Sequence, residues 1–172
     1  KFILSRPAFY DMSSGYLPIL TSKKVNWQSV VTELIWFLSG DTNTKYLVDN
    51  GVHIWDEWSD ENGNLGPVYG EQWRNWSTPT GSVDQIHGII EGIRRNPESR
   101  RHILSAWNVG ELHRMALPPC HMMAHFLVEG DLLHCKVYQR SADMFLGVPF
   151  NVTSYSILLG IIAQCCGLVP GT

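Results

Sequence analysis

The chain has 172 residues, 44% of them hydrophobic, with a formal charge of −3 and a pI near 6.1. That length supports one globular domain, taken as residues 1–172, with a substantial core and little room for a second. The slight acidity excludes the broad electrostatic attraction that non-specific DNA binding needs, although a few local arginines can still hold an anionic small molecule.

In chain order, NWQSVVTELIWFLSG carries apolar residues at Trp27, Val30, Val31, Leu34, Ile35 and Leu38, the spacing of a helix face. Trp36 and Phe37 lie off that stripe, so the helix is expected to be buried on most sides, capped by Asn26 and ended by Gly40. The Gly-, Asn- and Trp-rich stretch IWDEWSDENGNLGPVYGEQWRNW reads as loops lining a site. SVDQ from Ser82 matches a capping box, followed at helical spacing by Ile86, Ile89, Ile90 and Ile93, with Arg94 and Arg95 suiting the helix C-terminus and Pro97 ending it. HILSAWNV, MMAHFLV and LLHCKVYQ read as strands, the last two joined by a turn at Glu129-Gly130-Asp131. Val152 to Cys166 reads as a final helix closed by Gly167. Helices and strands interleave without strict alternation, which predicts an α+β fold built on a mixed sheet with helices on one face.

The four cysteines, Cys120, Cys135, Cys165 and Cys166, lack the spacing of a disulfide framework and read as thiols of a reducing, cytoplasmic compartment. No targeting segment opens the sequence, and the longest apolar run, around Ser156 to Ala163, is too short to span a bilayer, so no membrane role is expected. The chain opens without methionine and stops at LVPGT, which reads as missing termini.

Several residues admit two readings. Cys120 in LPPCH is either an inert buried thiol or a nucleophile whose thiolate draws on Arg100, Arg101 and Arg140. The same guanidinium forks suit a phosphate, or else Arg100 and Arg101 are a solvated strand start. Cys120, His121, His125, His134 and Cys135 show no zinc spacing, and strand alternation would put His121 and His125 on one face with Cys120 opposite, so no metal is expected. Glu33, inside an apolar helix, is an ion-pair partner or a tuned proton carrier. Asn151 reads as a helix cap, and Trp55 and Trp58 as a core edge or as walls for a flat heterocycle.

Taken together, LTSKK, ELIWFLSGDTN, IWDEW, GNLGPVYGEQWR, SRRHILSAWNV, ALPPCH, LLHCKVYQRSADMFLGVPFN and GLVPG run in the order of the thymidylate synthase family and resemble it across nearly the whole chain. The resemblance implies that Cys120 adds to C6 of the uracil ring of dUMP. It also implies that Arg140 supports phosphate and thiolate, with Ser141 as a further phosphate ligand. Arg100 and Arg101 resemble the pair that the family lends to the partner's phosphate site, which implies a homodimer with the other face of the sheet at its interface. Asn151 would read the pyrimidine edge, Glu33 would organise proton transfer, and Tyr69 would assist removal of the C5 proton. Asp143 would bond the pterin of 5,10-methylenetetrahydrofolate, with Ile54, Trp55, Trp58, Leu117, Leu146, Gly147 and Phe150 as walls of the folate site.

The products implied are dTMP and dihydrofolate. The alternatives are a dUMP hydroxymethylase, in which water traps the methylene intermediate, and a non-catalytic nucleotide-binding fragment. Against the family pattern the chain lacks the N-terminal arginine loop and the C-terminal segment. It also reads CHMMAHF where the family has CHxxxQF, which puts His125 at the glutamine position; Lys136 and Ala142 are smaller departures.

Overall fold

The computed structural model describes residues 7–172, so the part of the expected domain at residues 1–6 lies outside it. Helix α1 (Trp27–Leu38) starts as expected, with the Asn26 side chain accepting the Ser29 N–H, and Gly40 follows its end with φ at +77°. Its buried stripe is rotated from the expected one. Val30 and Leu34 are buried, but Trp27 and Ile35 stand 57% and 49% exposed, while Trp36 and Phe37 are almost wholly enclosed. The reason is an aromatic cluster: Phe37 lies 4.9 Å from Tyr69 and 5.4 Å from Trp73, and Trp36 lies 5.7 Å from Trp55, centroid to centroid. Burying these large rings outweighs burying Ile35.

The region read as loops holds more helix than expected. After a short α2 (Lys45–Asp49) and a 3-10 turn at Asp56–Trp58, α3 (Tyr69–Asn75) buries Tyr69, Gly70, Gln72 and Trp73. Three- and four-residue spacing inside VYGEQWRN was the signal, masked by the surrounding glycines and asparagines. Strands β1 (Trp76–Thr78) and β2 (Gly81–Val83) then form an antiparallel hairpin in which Ser82 pairs with Ser77. Ser82 is therefore not a cap. The cap of α4 (Gln85–Arg95) is Asp84, whose Oδ1 accepts the His87 N–H at 3.0 Å while its carboxylate is gripped by Arg74. A charged acceptor bonded on both sides holds the helix start better than a serine hydroxyl drawn into a hairpin.

The main sheet has the order β3 (Ile103–Ser105), β4 (His121–Glu129), β5 (Leu132–Gln139), β6 (Val169–Pro170), antiparallel except for the parallel β5–β6 pair. It is a mixed sheet in an α+β fold, as the sequence implies. Leu104, Ala124, Phe126 and Leu133 face the helices and are buried, whereas Ile103, Met123 and Tyr138 on the other face are 40%, 38% and 57% exposed. A bulge at His121–Met123 breaks the alternation of β4. It places His121 on the core face with Ala124 and Phe126, so His121 and His125 do not share a face as regular alternation predicted.

The last helix, α5 (Gly147–Cys166), runs 20 residues, starts before Asn151 and is closed by left-handed Gly167. It is long and apolar enough to cross a membrane, longer than the apolar run suggested. Leu158, Leu159, Ile162 and Ala163 spend that apolarity on the core.

Candidate active site

Cys120 sits half-buried in the loop that enters β4, and four hydrogen bonds fix its segment. The Tyr69 hydroxyl accepts the Cys120 N–H at 2.8 Å. Arg140, just past the end of β5, donates from Nε to the Pro119 carbonyl and from Nη2 to the Pro118 carbonyl, both at 2.8 Å. The Arg140 N–H reaches the Cys120 carbonyl at 2.9 Å, and its guanidinium lies over the Trp107 ring, 5.4 Å from the centroid. Proline removes the N–H at 118 and 119, but their carbonyls remain, and the guanidinium fork takes both. The result is a positive charge bound to the two peptide units before the thiol.

Tyr69 opens α3, where Gly66 and Pro67 turn the chain into the helix. Gly66 has φ +71°, and a Cβ there would run into the Arg114 carbonyl, so the 57–67 loop can dock against the loop leading to Cys120 only through glycine. The Leu65 carbonyl seals that contact by accepting the Ala116 N–H at 2.9 Å. Burial pushes the Tyr69 phenol above its ordinary range, against the pull of the backbone N–H groups of Cys120 and His121.

The bulge delivers His121 to this cluster. Its ring stacks on Tyr69 with centroids 4.0 Å apart and planes 10° from parallel, and its Nδ1 lies 2.8 Å from the Tyr155 hydroxyl. Burial pushes the imidazole down to about 3, so His121 is neutral at physiological pH. Sequence reasoning placed neither His121 nor Tyr155 here, because regular alternation sends the residue after Cys120 the other way; the CH dipeptide within ALPPCH was the available signal.

Glu33 is 8% exposed on α1, and its Oε1 accepts the Trp55 indole N–H at 2.7 Å. Burial raises the carboxyl to about 7, opposed by the Trp55 bond. Among the described residues no cation pairs with Glu33. Trp55 in turn meets Trp58 edge-on at 6.1 Å and Tyr69 at 6.2 Å, which ties Glu33 to the Cys120 segment through two rings. Ile54 and Trp58 are 39% and 38% exposed beside buried Trp55, and Leu117 is half-buried against the core.

Asn151 is one turn inside α5, not at its cap. The N-cap, Leu146, has no side-chain capping bond; Asp143 instead fixes the turn ahead of the helix, its Oδ1 accepting the N–H groups of Phe145 and Leu146 at 2.8 and 2.7 Å, with those bonds holding its carboxyl below the usual range. Asn151 Oδ1 instead accepts from Gln139 Nε2 at 2.8 Å. Gln139 pairs with His121 across the sheet and precedes Arg140, so this bond brings α5 to the Cys120 neighbourhood. Gly147 and Phe150 are half-buried in the same first turns of α5, and Leu146 is 61% exposed.

Other expected site residues stand apart. Arg100, Arg101, Ser141 and Asp143 are exposed, and neither Arg100 nor Arg101 makes an ion pair among the described residues. No group of three or more metal-ligating side chains occurs among the described residues. His125 lies on the outer face of the sheet opposite Lys136, its Nε2 buried without a partner among the described residues.

A family model described as thymidylate synthase matches residues 1–172, the whole chain. The chain belongs to the thymidylate synthase family. Membership carries the family's general chemistry, the transfer of a one-carbon unit from methylenetetrahydrofolate to dUMP by a methyltransferase of nucleotide biosynthesis. The blocks that carry the resemblance are the ones that converge here: ALPPCH, YQRS, PVYG, ELIWF, IWDEW and VPFN supply Cys120, Arg140, Tyr69, Glu33, Trp55 and Asn151.

Proposed function

We propose that this thymidylate synthase family chain methylates dUMP to dTMP, with Cys120 as the nucleophile that adds to C6 of the uracil ring. The observation that carries this reading is the hold of Arg140 on the Pro118 and Pro119 carbonyls, which keeps a guanidinium beside the Cys120 peptide. A guanidinium held there gives a phosphate a bidentate partner next to the nucleophile. Addition at C6 turns C5 from a poor nucleophile into an enolate carbon, splitting one hard substitution into feasible steps.

The neighbouring residues fit the remaining tasks. Glu33, titrating at about 7, takes and returns protons near neutral pH. Tyr69 spends its hydroxyl oxygen on the Cys120 N–H and keeps its own proton free to bond near C5. Asn151 reads the pyrimidine edge, and Ser141 joins Arg140 at the phosphate. Methylenetetrahydrofolate supplies the carbon and the hydride as co-substrate. The rims formed by Ile54, Trp55, Trp58 and Leu117 and by Leu146, Gly147 and Phe150 offer the apolar surface a pterin covers, and Asp143 keeps Oδ2 for a pterin N–H while Oδ1 caps the loop.

The single domain acts, in this reading, as a homodimer in which exposed Arg100 and Arg101 reach the partner's phosphate site and the outer face of the sheet meets its copy. Four free thiols suit a reducing, cytoplasmic compartment. The test is turnover with dUMP and methylenetetrahydrofolate. Dihydrofolate formation supports the synthase; hydroxymethyl-dUMP without folate oxidation assigns the hydroxymethylase instead, and nucleotide binding with neither product assigns a binding fragment.

A further inference from the structure

The turn from Asn96 to Arg101 joins α4 to β3 and carries Arg100 and Arg101 exposed on its surface. Two bonds close it on itself: the Ser99 N–H reaches the Asn96 carbonyl at 3.2 Å, and the Arg101 N–H reaches Ser99 Oγ at 3.3 Å. His102 fixes it to its surroundings. The His102 carbonyl accepts the Phe126 N–H at 2.9 Å, which ties the far end of the turn to β4. The ring, 5% exposed, reaches back to α4, where Nε2 lies 3.0 Å from the carbonyl of Asn96, the C-cap of that helix. A carbonyl only accepts, so the imidazole proton sits on Nε2 and both ends of the turn are joined through one side chain.

The helix leaves room for that ring at one position. A Cβ on Gly92 would lie 3.0 Å from Nδ1 and 3.2 Å from Cε1 of His102, tighter than ordinary van der Waals contact. Gly88, one turn earlier on α4, would meet nothing within 4 Å. Glycine weakens a helix interior, and at 92 it opens the space through which the imidazole reaches the end of the helix.

We propose that His102 is a positioning residue for Arg100 and Arg101, pinning their turn to the end of α4 so that the two guanidinium groups meet a nucleotide phosphate as one unit. The proposal rests on the reading that these arginines serve the phosphate of dUMP. Neither arginine makes an ion pair among the described residues, so nothing of that kind orders their side chains before a phosphate arrives. Binding must then order two long side chains, and a backbone already fixed beneath them reduces what is left to order.

The experiment titrates the full chain with dUMP and with deoxyuridine, which lacks the phosphate, and follows thermal unfolding of each variant. Gly92→Ala pushes the ring away from the helix while improving helix propensity. Its dUMP affinity is expected to fall about 3- to 10-fold with no loss of melting temperature and with deoxyuridine affinity unchanged. Gly88→Ala, on the same helix and away from the ring, should leave both affinities at the wild-type values. His102→Leu removes the donor and should weaken dUMP binding on the order of tenfold, with most of the loss restored in His102→Gln, whose amide N–H can bond the same carbonyl. Wild-type dUMP affinity in Gly92→Ala and His102→Leu overturns the proposal, and so does an equal loss for deoxyuridine. If His102→Leu fails to fold, Gly92→Ala decides alone. The double substitution Arg100→Ala with Arg101→Ala separates the role from the reading beneath it. If that variant binds dUMP like the wild type, or the wild type binds none, the phosphate reading falls and the role with it. If it binds weakly while Gly92→Ala and His102→Leu bind normally, only the role of His102 falls.

Discussion

The indole N–H of Trp55 donates to Glu33 Oε1 at 2.7 Å, and it is the one hydrogen bond that offsets burial of this carboxyl among the described residues. Trp55→Phe keeps the ring and removes the donor. The Glu33 midpoint is then expected to rise above its present value of about 7, read by carboxyl infrared or NMR titration. A midpoint that falls or stays would mean that the indole is not what stabilises the ionised form. Activity at neutral pH should shift with it, the pH–rate profile moving to the alkaline side by the same interval.

The pH dependence of stability carries a second expectation. Glu33 titrates at about 7 in the fold against 4.5 in the unfolded chain, so between those values the native state binds the extra proton and stability falls as pH rises. His121 titrates at about 3 against 6.5, so between those values the unfolded state binds the extra proton and stability rises with pH. From about pH 4.5 to 6.5 the two oppose each other. Glu33→Gln removes one side, and denaturation midpoints should then climb with pH across that window, by up to about 1.4 kcal/mol per pH unit. A curve for Glu33→Gln parallel to that of the wild type would contradict the burial-driven shift.

Tyr155 makes a sharper claim about His121. The buried Tyr155 hydroxyl has His121 Nδ1 as its one side-chain partner among the described residues, so satisfying its proton makes Nδ1 the acceptor and puts the imidazole proton on Nε2. Nitrogen-15 NMR should report the Nε2–H tautomer in the wild type. Tyr155→Phe should release that preference and cost about 1–3 kcal/mol in denaturant unfolding, because it leaves a buried acceptor unpaired. An Nδ1–H tautomer in the wild type would reverse the assignment.

Arg140 and Cys120 separate charge from chemistry. Arg140→Lys retains a positive charge but cannot fork to the Pro118 and Pro119 carbonyls together. We expect kcat/KM for dUMP to fall on the order of 10- to 100-fold with a change in melting temperature of only a few degrees, since Arg140 is exposed on the ladder's end. Cys120→Ser should abolish turnover while leaving the melting temperature close to that of the wild type. Comparable turnover by the serine variant would refute the nucleophile assignment.

Gly66→Ala should be disruptive out of proportion to one methyl group. The left-handed backbone and the Arg114 carbonyl leave no place for Cβ, so the two loops that present Tyr69 and Cys120 must separate. Thermal unfolding should show a loss of several kcal/mol, about 2–4. A melting temperature within one degree of the wild type would show that the loops move independently.

Much of this arrangement was legible in the order of residues. Asn26, Gly40 and Gly167 bound their helices as cap chemistry requires, and the turn at Glu129–Asp131 joined the strands expected. The buried stripe of α1 was misplaced because Trp36 and Phe37 answer to an aromatic cluster assembled from α3 and the Trp55 loop, and periodicity within one segment cannot register partners 19 to 36 positions away. Ser82 looked like a cap because the pattern is local, yet Arg74 at a distance made Asp84 the better acceptor. At the site, Cys120, Arg140 and Tyr69 were named by resemblance and converge in space, whereas His121, Tyr155 and Gln139 were missed. Each of those three depends on a side-chain partner in another element, and for His121 on a break in strand parity that no alternation rule anticipates.

That break has a consequence for how the family's sequence can drift. Every residue of β4 after Met123 is read in one phase by the sheet, and everything before it in the other, so the strand is two half-registers spliced at a single peptide. A change such as histidine at 125 is filtered by whatever meets the outer face, independently of the pocket that selects His121. Deleting Met122 would fuse the two registers. His121 would stay paired with Gln139 on the core face, because Met122 is the extra residue of the bulge, and the strand would lose the local twist that the bulge gives it there.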